Sequence, residues 1–158
     1  VDIAPKLIAL AAALSDDDGK VLLLCLEEVL GELAPFEVGE IAVRVHGRLL
    51  RSPLGRLDGN LLDAGLERRL SHLRAPLRID DLADAPETPE AAALCQRLGL
   101  RSLLAFPLFE GETRLGLLVL CRRETWGFVT VSLRAATPVA QMAGICLARA
   151  RGFTRRPK

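Results

Sequence analysis

The chain predicts an α+β domain in which an antiparallel sheet lies between helical layers. Three patterns carry this expectation. Apolar residues recur at helical spacing near both ends; the spacing drops to two from Val38 onward; and two long apolar runs between residues 101 and 121 flank a short polar turn. At 158 residues the chain suits one hydrophobic core.

Residues 3–14 form a short helical candidate that is apolar nearly all round, which implies burial against a partner helix, most simply in a dimer. A second helix is expected after Ser15, whose Asp16–Asp18 neighbours suit the positive end of a helix dipole. Its register puts Leu22, Cys25, Leu26, Val29, Leu30 and Leu33 on one stripe and Lys20, Glu27, Glu28 and Glu32 opposite. From Val38, Ile41, Val43 and Val45 alternate with Ala42, Arg44 and His46. Gly47 then opens a turn into Arg48–Arg51, which reads as a hairpin.

Residues 53–65 are punctuated by Pro53, Gly55, Gly59 and Gly65 and lead to a helix over Leu66–Leu73. Residues 76–81 read as extended. Pro86, Thr88 and Pro89 mark the entrance of a helix that continues over Ala91–Leu98 and stops at Gly99. The strongest strands are 101–109 and 115–121, joined through Glu110–Thr113 as an antiparallel hairpin; Pro107 belongs at an edge or bulge. A last helix spans about Thr130 to Arg151, burying Leu133, Ala136, Ala140, Ala143 and Leu147, with a kink expected at Pro138.

Composition removes several function classes. Hydrophobic residues are 50% and charged residues 26%, enough apolar surface to fold rather than remain disordered. Twenty-one basic residues against twenty acidic give a net charge of +1, so nucleic acid is not an expected partner. Aromatics are 4% with no Tyr, leaving few stacking platforms. Cys25, Cys95, Cys121 and Cys146 are far apart, form no zinc or dithiol motif, and read as reduced, buried thiols of a cytoplasmic protein. The apolar stretch Ile8–Leu14 is far shorter than the roughly 20 residues that span a bilayer. No membrane span and no secretory signal are expected, and the chain reads as a piece of a longer protein.

The segment Pro76-x-x-Ile79-x-Asp81, then Leu98-Gly-Leu-Arg-Ser-Leu-Leu-Ala-Phe-Pro-Leu108, then Leu115-Gly-Leu-Leu-Val-Leu120 with Gly127-Phe128, resembles the carboxy-terminal half of a GAF domain. The resemblance implies a central antiparallel sheet with terminal helices on one face and short helices and loops covering a pocket on the other. Residues 15–151 would be the sensor domain, 1–14 an amino-terminal linker or dimerisation helix, and 152–158 a basic tail or linker. It further implies a regulatory sensory module of a bacterial signalling protein, such as a histidine kinase, cyclase, phosphodiesterase or transcription activator. That module would bind a small molecule, pair as a homodimer through its terminal helices, and signal to a fused output domain. A ligand-free dimerisation or interaction module is the first alternative.

Cyclic-nucleotide members carry Asn-Lys after the last strand and Asp-Glu after the Phe; the matching positions here read Arg122, Arg123, Phe128, Ser132 and Leu133, keeping the Phe alone. Arg122 and Arg123 read as a solvated strand end, although their charge suits a phosphate. Bilin attachment lacks its Cys-His pair and Tyr, and His46 and His72 are isolated imidazoles, not a haem site. The enzyme alternative, free methionine sulfoxide reduction, points to Cys95 beside Arg97, but no adjacent resolving thiol follows. Arg78-x-x-Asp81, a cyclic di-GMP pattern, is no more than chance expects. No catalytic or metal-ligating residue is therefore assigned, and no cofactor is named.

Alternation along 101–109 puts Ser102, Leu104, Phe106 and Leu108 on one side and Leu103, Ala105, Pro107 and Phe109 on the other. By resemblance the pocket is assigned to Ser102, Leu104 and Phe106, with Ile79, Asp80 and Asp81 from the covering segment and Leu98 at the rim.

Overall fold

The computed structural model describes residues 19–45, 47–55, 61–84 and 89–149. The expected helix at 3–14, the Asp16–Asp18 cap, the tail at 152–158, His46 and the Pro86–Thr88 entrance lie outside the described residues, as does the side chain of Cys95.

Helix α1 (Gly19–Leu33) is followed by strands β1 (Val38–Val45) and β2 (Arg48–Gly55), then by helix α2 (Ala64–Leu70) and the short strand β3 (Leu77–Ile79). A 3-10 turn at Leu82–Asp84 and helix α3 (Pro89–Leu98) lead to β4 (Ser102–Glu110), β5 (Thr113–Arg122) and helix α4 (Leu133–Arg149). The strands form one sheet in the order β2-β1-β5-β4-β3, every neighbour antiparallel. The expected α+β class with a central antiparallel sheet is therefore present.

Local chemistry explains where the elements begin and end. Asp63 accepts from the Leu66 amide at 2.8 Å, so α2 starts two residues before the Leu66 expected from the punctuation. Gly99 ends α3 at a φ of 71°, a left-handed conformation that costs glycine nothing. β2 runs through Pro53, which the ladder tolerates because β2 is an edge strand. Pro107 sits in β4 beyond the last β3 pairing and one residue before a register shift at Leu108/Phe109, matching the edge or bulge expected for it.

Both faces of the sheet are covered, and each has its own core. On one face Ile41, Val43, Leu104, Phe106, Leu108, Leu118 and Leu120 pack with Leu26, Val29 and Leu30 of α1 and with Ala136, Val139, Ala140, Ala143 and Leu147 of α4. On the other, Leu103, Ala105, Leu117, Val119 and Cys121 meet Leu61, Leu62, Leu66, Leu70, Leu82 and Leu94. The helical stripe read from α1 holds for Leu26, Val29 and Leu30, which are fully buried, and for Cys25 and Leu33, which are partly so; the side chain of Leu22 lies outside the described residues, and Leu23, not expected on the stripe, also packs against this core.

Two glycines permit close approaches, one within the sheet and one between the sheet and a helix. A Cβ on Gly116 would stand 1.8 Å from the Ala42 carbonyl oxygen, so β1 and β5 draw together only because β5 has no side chain there. Gly144 lets α4 lie against Leu108, whose Cδ1 is 3.0 Å from where a Cβ would be.

Candidate functional site

The two-face division corrects the predicted pocket set. Leu104 and Phe106 belong to the core beneath α1 and α4, not to the covered side. The side chains of β4 facing the cover are Leu103 and Ala105. Ser102 is buried against the 127 loop, a Cβ on Gly127 falling 2.7 Å from its hydroxyl oxygen, and that hydroxyl has no hydrogen-bond partner among the described residues. The error arises because β4 is buried on both faces over Ser102–Leu108, so its sequence carries no label for either.

The remaining predicted residues are scattered. Ile79 and Leu98 do pack into the cover-side core. Asp80 and Asp81 sit at the sheet's end in ion pairs, Asp80 with Arg78 at 2.9 Å and Asp81 with Arg101 at 3.1 Å; Asp81 also accepts from the Ala83 amide. None of the seven predicted residues lines the cleft described next.

That cleft opens at the opposite end of the cover, where β1, β2 and β5 pass beneath α2. It encloses about 130 Å³ and is lined by Ala42, Arg44, Leu49, Glu67, Ser71 and residues 114–117. Ala42, Leu49, Leu115 and Leu117 make its floor apolar, and Arg44, Glu67 and Arg114 bring charge to its walls. In the sequence Arg44 is a polar member of an alternating strand, Arg114 precedes the apolar run 115–121 and Gly116 lies inside it, and none of these marks a cleft. Beneath α3, by contrast, the leucines of the second core fill the space.

A buried polar clamp holds the roof next to the cleft. Glu40, fully buried on β1, accepts from the Leu62 amide at 2.9 Å. Arg51 of β2 donates to the Leu62 carbonyl at 2.8 Å and pairs with Glu67 of α2, while Arg97 of α3 donates to the Leu61 carbonyl at 3.0 Å. The segment 61–62 is thus tied to two strands and a helix. Burial pushes the Glu40 carboxyl above its ordinary range, opposed by the Leu62 amide and the Arg51 charge. Its second oxygen has no partner among the described residues.

The thiols lie elsewhere. Cys121 is fully buried, and burial raises its thiol far above the ordinary range, with the Glu37 charge adding to the shift. Cys25 and Cys146 flank the terminal-helix core, and burial raises Cys146 as well, against a lowering by Arg149. None of these three lines the cleft. Among the described residues no group of three or more His, Cys, Asp or Glu is placed to hold a metal ion, and no helix is long and apolar enough to cross a membrane.

The GAF domain family matches residues 4–147. The chain belongs to the GAF domain family. No curated protein matches it. Among solved structures it is similar to the GAF domain of a phosphoenolpyruvate-protein phosphotransferase from Coxiella burnetii, at 17% identity and a TM-score of 0.60, covering 96% of this chain and 97% of that one. It is also similar to the GAF domain of a two-component sensor histidine kinase from Bacillus halodurans, at 17% identity and TM-score 0.60, covering 77% and 87%. A type II free methionine-R-sulfoxide reductase from Thermoplasma acidophilum gives 14% identity and TM-score 0.60, covering 89% and 96%. At these identities the likeness is one of fold. GAF domains of signalling proteins share it with an enzyme, and the family places this chain among sensory or regulatory modules.

Proposed function

We propose that this GAF domain is a non-catalytic, ligand-responsive regulatory module of a larger cytoplasmic signalling protein, with its ligand in the cleft between α2 and the β2-β1-β5 end of the sheet. The observation that carries the reading is the cleft itself, an apolar floor with a few charged groups at its walls, the usual composition of a small-molecule site. Cys25, Cys121 and Cys146 do not line that space, and burial raises the Cys121 thiol, so none of these three is given a catalytic role; the side chain of Cys95 lies outside the described residues.

The fold supplies a mechanical reason for a response. Gly116 lines the cleft and pairs with Leu108 of β4, and Leu108 is the residue against which Gly144 of α4 is packed. A ligand that favours one spacing of β1 and β5 therefore biases the seat of a terminal helix, and it can do so only through different affinity for the two arrangements. Exposed Leu24 on α1 supports the expectation that terminal helices pair between two copies. Sedimentation over a concentration series tests that pairing, and a monomer throughout excludes it.

The packed core beneath α3 favours a second reading, a ligand-free interaction module. Thermal-shift screening of the chain against metabolite pools separates the two. The sensor reading expects stabilising hits that disappear in Leu49→Trp, which fills the cleft from an edge strand; no hits at all favour the ligand-free module, and hits that persist in that variant overturn the cleft as the binding site.

A further inference from the structure

Resting on the ligand-sensor reading and deepening it, we infer that the ligand is a small anionic amphiphile whose acid group is held by Arg114 and Arg74 and whose apolar part lies against Leu49, Leu115 and Leu117. The apolar cleft adjoins a second hollow of about 240 Å³, lined by Ser71, His72, Arg74, Phe109, Glu112 and Arg114. Ser71 and Arg114 belong to both, so one molecule can pass over them with an apolar end on one side and a polar end on the other.

Arg114 is built into this boundary. Its guanidinium donates to the Leu73 carbonyl at 2.7 Å and the Leu70 carbonyl at 3.1 Å, and its Cζ lies 5.7 Å from the centre of the Phe109 ring. Two of its five N–H donors are thereby used, and the remaining three are available to an acceptor. No carboxylate pairs with Arg114 or with Arg74 among the described residues. Glu112 shares the hollow from the β4-β5 turn but lies outside ion-pair distance of both. Burial and the neighbouring Arg74 charge both act against the protonated form of Arg114. The fold holds two guanidinium groups in mutual repulsion at the mouth of an apolar cleft, and an anion placed there converts that repulsion into charge-assisted hydrogen bonds.

Carboxylate and phosphate headgroups share this chemistry, and the experiment separates them. Hexanoate, hexyl phosphate, hexanol and hexylamine are titrated by calorimetry into the chain and into Arg74→Glu, an exposed change away from the core. The expected result is binding of one or both anions, with the tighter of the two naming the headgroup, and an affinity loss of about tenfold to a hundredfold in Arg74→Glu. Hexanol binding as tightly as the anions, or an unaltered affinity in Arg74→Glu, overturns the anion assignment. Loss of hexanol binding in Leu49→Trp would then leave the ligand-sensor reading standing. Binding of none of the four overturns this inference, and metabolite hits in the wider screen that vanish in Leu49→Trp would still sustain the sensor reading.

Discussion

Replacing Glu40 by Gln isolates the energetic cost of a carboxylate enclosed in the sheet. The Gln carbonyl can keep the acceptor role toward the Leu62 amide, and its amide nitrogen takes the place of the oxygen that has no partner. A protonated Glu40 presents an O–H at that same unpartnered position, so at low pH the two proteins leave a similar donor unsatisfied and should differ little. As pH rises the comparison changes sign in favour of Gln. Burial raises the folded-state pKa above the unfolded value of 4.5, so the native protein holds its proton longer than the unfolded chain does. The stabilisation associated with that proton is complete below the unfolded value and is lost as pH climbs through the folded one. The stability difference, Gln minus Glu, therefore grows by up to about 1.4 kcal/mol per pH unit across that window and then levels off. The other carboxylates titrate alike in both proteins and cancel. Urea denaturation of the pair from about pH 4 to pH 8 measures the difference directly. Parallel stability profiles, or a Gln variant weaker at neutral pH, would refute the claim that desolvation outweighs the Arg51 charge and the Leu62 hydrogen bond.

Further changes probe other parts of the fold. Gly116→Ala forces a Cβ to within 1.8 Å of the Ala42 carbonyl and should cost about 3 kcal/mol or more in denaturant melts; a loss below about 1 kcal/mol would mean the strands can separate freely. Phe106→Ala empties a fully buried site under the terminal helices and should cost about 3–5 kcal/mol while leaving cleft binding intact; selective loss of ligand affinity without loss of stability would return Phe106 to the pocket. Cys121 should resist iodoacetamide in the native protein and react only with unfolding, as peptide mass mapping would register; native labelling at the rate of an exposed thiol contradicts its burial.

Elements with strong period or punctuation were legible from residues alone: the β4-β5 hairpin, the Gly99 stop, the α1 stripe and the edge role of Pro107. The site was not, for two physical reasons. Alternation tells which residues share a face but not which face is which, and β4 is apolar on both sides because both are covered. The cleft, moreover, is assembled by the strand order. Ala42, Leu49, Glu67 and Leu117 come from four separate elements, and β1 meets β5 only through a pairing that spans more than seventy residues of chain. Arg44 reads as a polar member of an alternating strand and Arg114 precedes the apolar run 115–121, and nothing local distinguishes an arginine facing a cleft from one facing water. The Asp63 cap was missed because Gly59 and Gly65 on either side of it made residues 53–65 read as loop.

The register shift at Leu108/Phe109, where Leu115 of β5 is the extra residue, lies beside a junction that joins the two faces of the sheet. β3 covers β4 only at Leu103–Ala105, so Pro107 and Phe109 would leave backbone groups open at a partly buried edge. Gln141 of α4 closes that edge with both ends of its side chain, donating to the Pro107 carbonyl at 2.7 Å and accepting from the Phe109 amide at 2.8 Å. Phe109 in turn carries Arg114 over its ring, and Arg114 is the shared wall of the apolar cleft and the charged hollow. A helix on one face of the sheet is thereby connected to a guanidinium on the other through two directional bonds and one ring. Apolar packing tolerates small slides, whereas a bidentate amide contact does not, so this junction transmits displacement with less loss than the leucine core around it. The mid-strand Pro, ordinarily a weakness in a sheet, creates the vacancy that lets a terminal helix grip the strand beside the site.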